Sequence, residues 1–173
     1  MTAAPRIETE RLVLRAPTRG DFAPIAAFFA TEASRFVGGP LPERQVWWGF
    51  GADVGAWDLL GFGCWAIEER ATGAFAGQVG LNQPPHFPER EIGWMLVPGF
   101  EGKGYATEAA RAARAYAYGT LGWKTAVSYV DRDNHRSAAV ARRLGSREDA
   151  DAPRPGHDGL VFRHPRPQQE AIQ

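Results

Sequence analysis

The chain is short of nearly everything that marks a specialised class of protein. One cysteine, Cys64, in 173 residues excludes an internal disulfide and a cysteine-based zinc site. Neither charge is in surplus: twenty Lys and Arg balance twenty Asp and Glu, so no basic field advertises nucleic acid or a membrane surface. No apolar run reaches bilayer length, and Met1–Arg15 carries acids and arginines where a secretory leader needs an apolar stretch. Repeats are absent, and His135, His157 and His164 lack ligand spacing, so no metal is expected. What is present suits a folded domain. Hydrophobic residues make up 44% and charged residues 23%, which excludes a disordered chain, a coiled coil and a collagen-like rod. The expectation is one cytoplasmic domain over residues 1–164, followed by a Pro/Gln-rich tail, 165–173, expected to be disordered.

Periodicity places the elements. Leu12 and Leu14 alternate against Arg11, Val13 and Arg15, as one strand over Glu8–Arg15 with a single core face. Phe22, Ile25 and Phe29 recur at helical spacing behind a Thr18–Asp21 cap signal. Glu43–Leu60 sets Trp47, Phe50, Val54 and Trp57 on one helical stripe, although Gly49, Gly51 and Gly55 each oppose it by up to ~1 kcal/mol. Four of the six tryptophans fall between Trp47 and Trp65, a density that suits either a core or a cleft wall. Cys64–Glu69 and Phe75–Leu81 read as strands joined at Thr72–Gly73, the proline-rich Asn82–Arg90 as a stiff loop, and Glu91–Val97 as a further strand. Gly102–Tyr118 reads as a helix with Ala109, Ala113, Tyr116 and Ala117 inward and Arg111 and Arg114 outward. A strand over Lys124–Val130, a helix capped by Asn134 and ending at Leu144–Gly145, and a strand over Leu160–Arg163 complete the chain. Hairpins with interposed helices point to an α+β or mixed α/β fold.

The informative segment runs from Met95 to Ala109, where a strand enters a glycine-rich turn that enters a helix. The first amides of a helix lack internal partners, and the macrodipole leaves roughly +0.5 charge there. Gly102 and Gly104 let a diphosphate reach the backbone without meeting a Cβ; a plain turn before a helix is the alternative. Gly102-Lys103 is followed by Gly104, so it is no Walker loop, and Thr107 stands where a dinucleotide fingerprint needs its third glycine.

Glu101-x-x-Gly104-x-Ala106, continued as Tyr105-Ala106-Thr107-Glu108-Ala109, resembles the acetyl-CoA loop of GNAT-superfamily acetyltransferases, in particular their RimJ/RimL-like branch. Thr9–Arg15, Glu91-Ile92-Gly93-Trp94, and Asn134-x-x-Ser137 with Arg143-Leu144-Gly145 are similar to three further segments of that branch, in order. The resemblance implies a mixed, mostly antiparallel twisted sheet of about seven strands, splayed in a V between strands 4 and 5 and flanked by about four helices. It implies acetyl-CoA as co-substrate, with pantetheine along Met95, Leu96 and Val97 and pyrophosphate on the amides of Gly102, Lys103, Gly104, Tyr105, Ala106 and Thr107. Asn134 is then expected at the pantetheine arm and Ser137 near the thioester sulfur. One position departs from the family, which has Gln or Arg where this chain has Glu101. Like charges ~4 Å apart at an effective dielectric of about 20 oppose each other by about 4 kcal/mol, so Glu101 is expected to turn away, with Lys103 offsetting it.

The reaction so implied transfers acetyl to a primary amine, either a protein N-terminus or a small molecule. An α-amino group is roughly 10% neutral at pH 7, whereas a lysine is neutral well under 0.1% of the time and costs about 3 kcal/mol more to deprotonate. That raises the value of a positioned base. Glu91 is the leading candidate, a solvated strand-start carboxylate being the equal alternative; His86 in the proline-rich loop is another, against a plain surface role. Ser137 is the candidate sulfur donor or else a first-turn helix residue, and no tyrosine lies between Ala138 and Gly145 to replace it. Asp131 and Asp133 suit the turn into Asn134, Cys64 a small buried hydrophobe, and Arg136, Arg142 and Arg143 either the nucleotide 3′-phosphate or an exposed helix face. Trp47, Trp48, Trp57 and His86 are expected to line the acceptor site, and exposed tryptophans there would make a homodimer contact. The competing reading is a CoA-binding regulatory or scaffold domain without turnover, motivated by Glu101 and the missing tyrosine.

Overall fold

The computed structural model describes residues 4–156 and 158–166; His157 and the expected tail from 167 onward lie outside the described residues. The elements are β1 (Ile7–Glu8), β2 (Leu12–Arg15), α1 (Phe22–Phe29), α2 (Glu43–Leu60), β3 (Cys64–Glu69), β4 (Phe75–Asn82) and β5 (Glu91–Leu96) in the first half. There follow α3 (Tyr105–Gly119), β6 (Val127–Val130), α4 (His135–Arg143), β7 (Arg147–Glu148) and β8 (Leu160–Arg163), with 3-10 turns at Arg19–Asp21 and Glu32–Val37. They build one sheet in the order β1-β2-β3-β4-β5-β6-β8-β7, in which only the β5–β6 neighbours run parallel. The expected single strand over Glu8–Arg15 is instead a hairpin. Thr9 N donates to Leu12 O (2.9 Å), which folds Ile7 and Glu8 back against Leu14 and Val13.

On one face of the sheet, Leu14, Trp65, Ile67, Val79, Leu81 and Ile92 pack against Ala109, Ala113 and Ala117 of α3. Small side chains along that stripe let the helix lie close to the strands. Arg114 departs from its expected outward position: Nη1 donates to Leu144 O (2.6 Å) and lies 3.3 Å from His164 Nδ1. The other face is capped by α1 and α2 through Ile25, Val46 and Phe50. Here the expected stripe on α2 holds at Phe50 and Trp57 but not at Trp47 and Val54. Val46, Phe50 and Trp57 are buried, whereas Trp47 and Val54 are 49% and 43% exposed.

The feature that positions the site is the parting of β5 from β6, which pair only at Glu91 and Val127. Beyond that pair the Ser128 hydroxyl donates to Ile92 O across the widening gap (2.5 Å). His164 Nε2 lies 2.9 Å from the same oxygen, and its Nδ1 lies 2.9 Å from Ser146 Oγ. Burial, aided by the neighbouring Arg114 charge, pushes His164 down to about 3, so the ring is neutral. A neutral ring protonated on Nε2 donates to Ser128 and accepts from Ser146 and Arg114, which satisfies every partner.

Packing and the buried network generate three predictions. A Cβ at Gly51 on α2 meets nothing within 4 Å, so Gly51→Ala should stabilise by about 0.5–1 kcal/mol. A Cβ at Gly77 (φ 152°) falls 2.1 Å from Met95 O, so Gly77→Ala should lower the melting temperature in the same thermal assay. Ser128→Ala strands Ile92 O and His164 Nε2, and urea titration should show a loss of about 1–3 kcal/mol.

Candidate active site

Between the α1–α2 cap and the sheet lies a cavity of about 870 Å³ that runs from α2, across β3, β4 and β5, to the start of α4. Its walls are apolar, with Phe29, Leu41, Val46, Phe50 and Met95 among them, and its floor is polar. The floor exists because β4 and β5 place glycines opposite one another, Gly80 against Gly93. A Cβ at Gly80 would lie 2.5 Å from Cys64 Sγ, and one at Gly93 would lie 3.1 Å from Asn82 Nδ2 and 3.2 Å from Glu91 Oε2. Glycine in a strand interior thus marks close approach of other side chains.

Across that floor, Asn82 Nδ2 donates to Glu91 Oε2 (2.9 Å) and the Cys64 thiol donates to Asn82 Oδ1 (3.5 Å). Gln78 Nε2 donates to Asp53 Oδ2 (3.5 Å), carried on the inner face of α2. Burial pushes the Glu91 carboxyl up to about 7, against hydrogen bonds from Asn82 and the Tyr129 backbone that favour its charged form. Burial likewise raises Asp53 to about 6, although the Gln78 amide and the nearby Cys64 side chain favour its charged form. Burial and the two neighbouring carboxylates push the Cys64 thiol well above its ordinary value, so it stays protonated and acts as a donor.

At the far end, Asn134 caps α4, its Oδ1 accepting from Ser137 N (3.1 Å), and both residues line the cavity. Asp131 shapes the turn before them, accepting from Asp133 N (2.8 Å). Along β5, Val97 N donates to Ala76 O (3.0 Å) on the β4 side, while Ile92 O faces Ser128. Alternation along the strand therefore turns the backbone groups of Trp94 and Leu96 toward the gap and those of Met95 and Val97 away from it. Of the three positions expected to pair with an extended ligand, only Leu96 keeps that capacity, and Trp94 joins it.

The loop after β5 presents free amides. Gly102 and Gly104 hold φ of 75° and 81°, the left-handed region that suits glycine. The ladder of α3 begins with Glu108 N donating to Gly104 O (3.1 Å), so the N–H groups of Tyr105, Ala106 and Thr107 have no intrahelical acceptor. Thr107 Oγ1 is buried without a partner among the described residues. The neighbouring side chains anchor the loop: Tyr105 Oη donates to Glu69 Oε1 (2.5 Å) and Lys103 Nζ lies 3.5 Å from the same oxygen. Beneath them, Glu108 accepts from Thr9 Oγ1 (2.6 Å), Arg11 N (2.8 Å) and Arg11 Nε (2.8 Å), while Arg11 Nη1 donates to Lys103 O (2.8 Å). Glu101 turns back onto its own loop, its Oε2 accepting from Gly99 N (3.0 Å), and the cation near it is Arg136 at 3.9 Å rather than Lys103.

Four expected acceptor-site residues are elsewhere. Trp57 is a core residue, 3% exposed, with Nε1 donating to Cys64 O (2.9 Å) and its ring edge-on to Trp65. Trp47 and Trp48 face outward on α2, and His86 is exposed beside Phe87. The residues that do reach the cavity and escaped sequence reasoning are Asp53, Gln78 and Asn82. For Gln78 and Asn82 the signal was a strand face reading Gln78, Gly80, Asn82, polar and glycine alternating behind an apolar Val79 and Leu81; Asp53, on α2, had no such signal.

A family model described as an acetyltransferase (GNAT) domain matches residues 11–147. An acetyltransferase of Agrobacterium tumefaciens is 43% identical and superposes with a TM-score of 0.91 over 95% of this chain and 96% of its own. The Bacillus subtilis protein YkkB is 29% identical over 153 residues, 84% of this chain and 87% of YkkB. The alpha-N-protein acetyltransferase RimL, solved in complex with coenzyme A, shares the fold at 17% identity and a TM-score of 0.73 over 92% of this chain and 96% of RimL. Splayed sheet, amide-rich loop and family match agree: the chain belongs to the GNAT acetyltransferase family and is an acetyl-CoA-dependent acyltransferase.

Proposed function

We propose that the protein, through one domain spanning residues 1–164, acetylates a primary amine by direct attack on acetyl-CoA within a ternary complex. The observation that carries this reading is Glu91, a carboxyl only 9% exposed, on the cavity floor beside the β5–β6 parting, where burial pushes it up to about 7. An amine arrives as ammonium and must lose a proton before its lone pair can attack; a base with that affinity for protons is matched to the task. The Glu91 carboxylate takes that one proton, directly or through one water, and the freed lone pair attacks the thioester carbonyl carbon. Collapse of the tetrahedral intermediate breaks the C–S bond. The departing thiolate takes a hydrogen bond from Ser137 and then the second proton released by the attacking nitrogen, leaving an acetamide and coenzyme A.

Binding follows the same geometry. The pyrophosphate rests on the amides from Gly102 to Thr107, with Thr107 Oγ1 as an additional free group. Pantetheine runs past Trp94 and Leu96 toward Asn134, whose Nδ2 is the side-chain group left over from capping. The cap of α1, α2 and Glu32–Val37 over the sheet favours a small amine above a protein N-terminus as acceptor. Exposure of Trp47 (49%) and Trp48 (59%) supports a contact between two copies through the outer face of α2.

Thiol release from acetyl-CoA across a panel of amines tests the activity; release no faster than background rejects it. Glu91→Gln should lower kcat/KM by about 10²–10⁴-fold. Only the carboxylate accepts a proton, so wild-type activity should fall below pH 7, and the variant should lack that acidic limb. Sedimentation should show a dimer that Trp48→Glu dissociates; a monomer at every concentration rules out the α2 contact.

A further inference from the structure

The cavity is charged in one sense only. Its lining holds three carboxylates, Asp53, Glu91 and Asp131, and no Lys, Arg or His among the described residues. Glu91 has a role in the proposed reaction, and Asp131 is engaged in the turn before α4. Asp53 is left over. It sits at the α2 end of the cavity, remote in the fold from the Asn134 and Ser137 end, with only the Gln78 amide and the Cys64 thiol as neighbours on the floor. Both are neutral, so no cation among the described residues compensates its charge there, and a carboxylate set among apolar walls gains most from a cationic partner.

The polar lane Glu91–Asn82–Cys64–Asp53–Gln78 crosses three strands and α2, and the lining around its α2 end, with Val46, Phe50, Ala56 and Leu60, is largely aliphatic or aromatic. Such a lining matches a ligand with an apolar middle and a polar group at each end. It repels a ligand that carries a carboxylate, because no cation is present to receive one. We propose that Asp53, flanked by Gln78 and Cys64, is a second acceptor subsite that binds a cationic group, so that the acceptor class is an apolar diamine free of carboxylate. One ammonium end loses its proton near Glu91 and is acetylated; the other stays charged at Asp53. This rests on the amine-acetylating reading above and adds to it the identity of the amine.

Three probes built on a six-carbon chain test the subsite: hexamethylenediamine, hexylamine and aminocaproate. On the unaltered protein the diamine should show a kcat/KM about tenfold or more above hexylamine, with aminocaproate below both. Calorimetric binding to the protein saturated with coenzyme A should follow the same order. In Asp53→Asn the diamine-to-hexylamine ratio should fall close to one, a change in selectivity that a merely destabilised fold would not produce. Equal preference for diamine and monoamine on the unaltered protein, or aminocaproate bound as well as either, overturns the subsite even if the variant fails to fold. A diamine that binds in the expected order without being acetylated upholds the subsite and counts against the proposed reaction. Absence of binding by every probe overturns the subsite whatever the turnover with other amines.

Discussion

The separation of β5 from β6 after a single residue pair is the constraint on which the site depends. Two parallel strands that stayed paired would satisfy each other's amides and carbonyls and leave no slot between them. Parting them exposes backbone polar groups inside the protein, which is costly unless each finds a partner. The structure meets that cost at the apex with side chains. Ser128 takes over the pairing of Ile92 O, and the neutral His164 holds Ser128 from behind. Farther along, where Trp94 and Leu96 turn toward the gap, no such substitute is built, and a co-substrate arm is the natural complement.

A second tie locks the amide-rich loop to the other end of the sheet. Glu108, one turn into α3, gathers Thr9 and the main chain and side chain of Arg11, while Arg11 reaches Lys103 O. Burial opposes ionisation of Glu108, but the hydrogen bonds from Thr9 and Arg11 outweigh it and hold the carboxyl below its usual range. Two segments that resemble the family separately, Thr9–Arg15 and Gly104–Ala109, are thus halves of one hydrogen-bonded unit joined across 97 residues of chain. Tyr105 and Lys103 fasten the same loop to Glu69 on β3. Their side chains serve as anchors, and the first amides of α3 are left without a side-chain partner of the loop.

Much of this was legible in the residue pattern. The bounds of α2, β3 and β8 coincide with their periodic segments, and the strand–glycine–helix passage foretold the turn that leads from β5 into α3. The hidden parts share a cause: they are set by what packs across from an element, which local spacing does not encode. The stripe on α2 had two candidate phases, because Trp47 and Val46 are adjacent and both apolar; the sheet chose Val46. Arg114 reads as an outward residue until α4 and β8 supply its acceptors. Ser128 and His164 stand 36 residues apart and become partners only when β8 inserts beside β6. Glu91 is a candidate from its strand, but the burial that raises its carboxyl, like its hydrogen bond from Asn82 on β4, follows from the packed sheet rather than from local spacing.

The one-signed lining also bears on how turnover ends. In the proposed reaction the substrate enters with an ammonium that the carboxylates attract, and it leaves as an amide with one positive charge fewer. Glu91, having accepted the proton, is neutral at that moment as well. Attraction at the reacting end is switched off by the chemistry itself, so product departure is favoured without any moving part, and inhibition by accumulated acetamide should be weak.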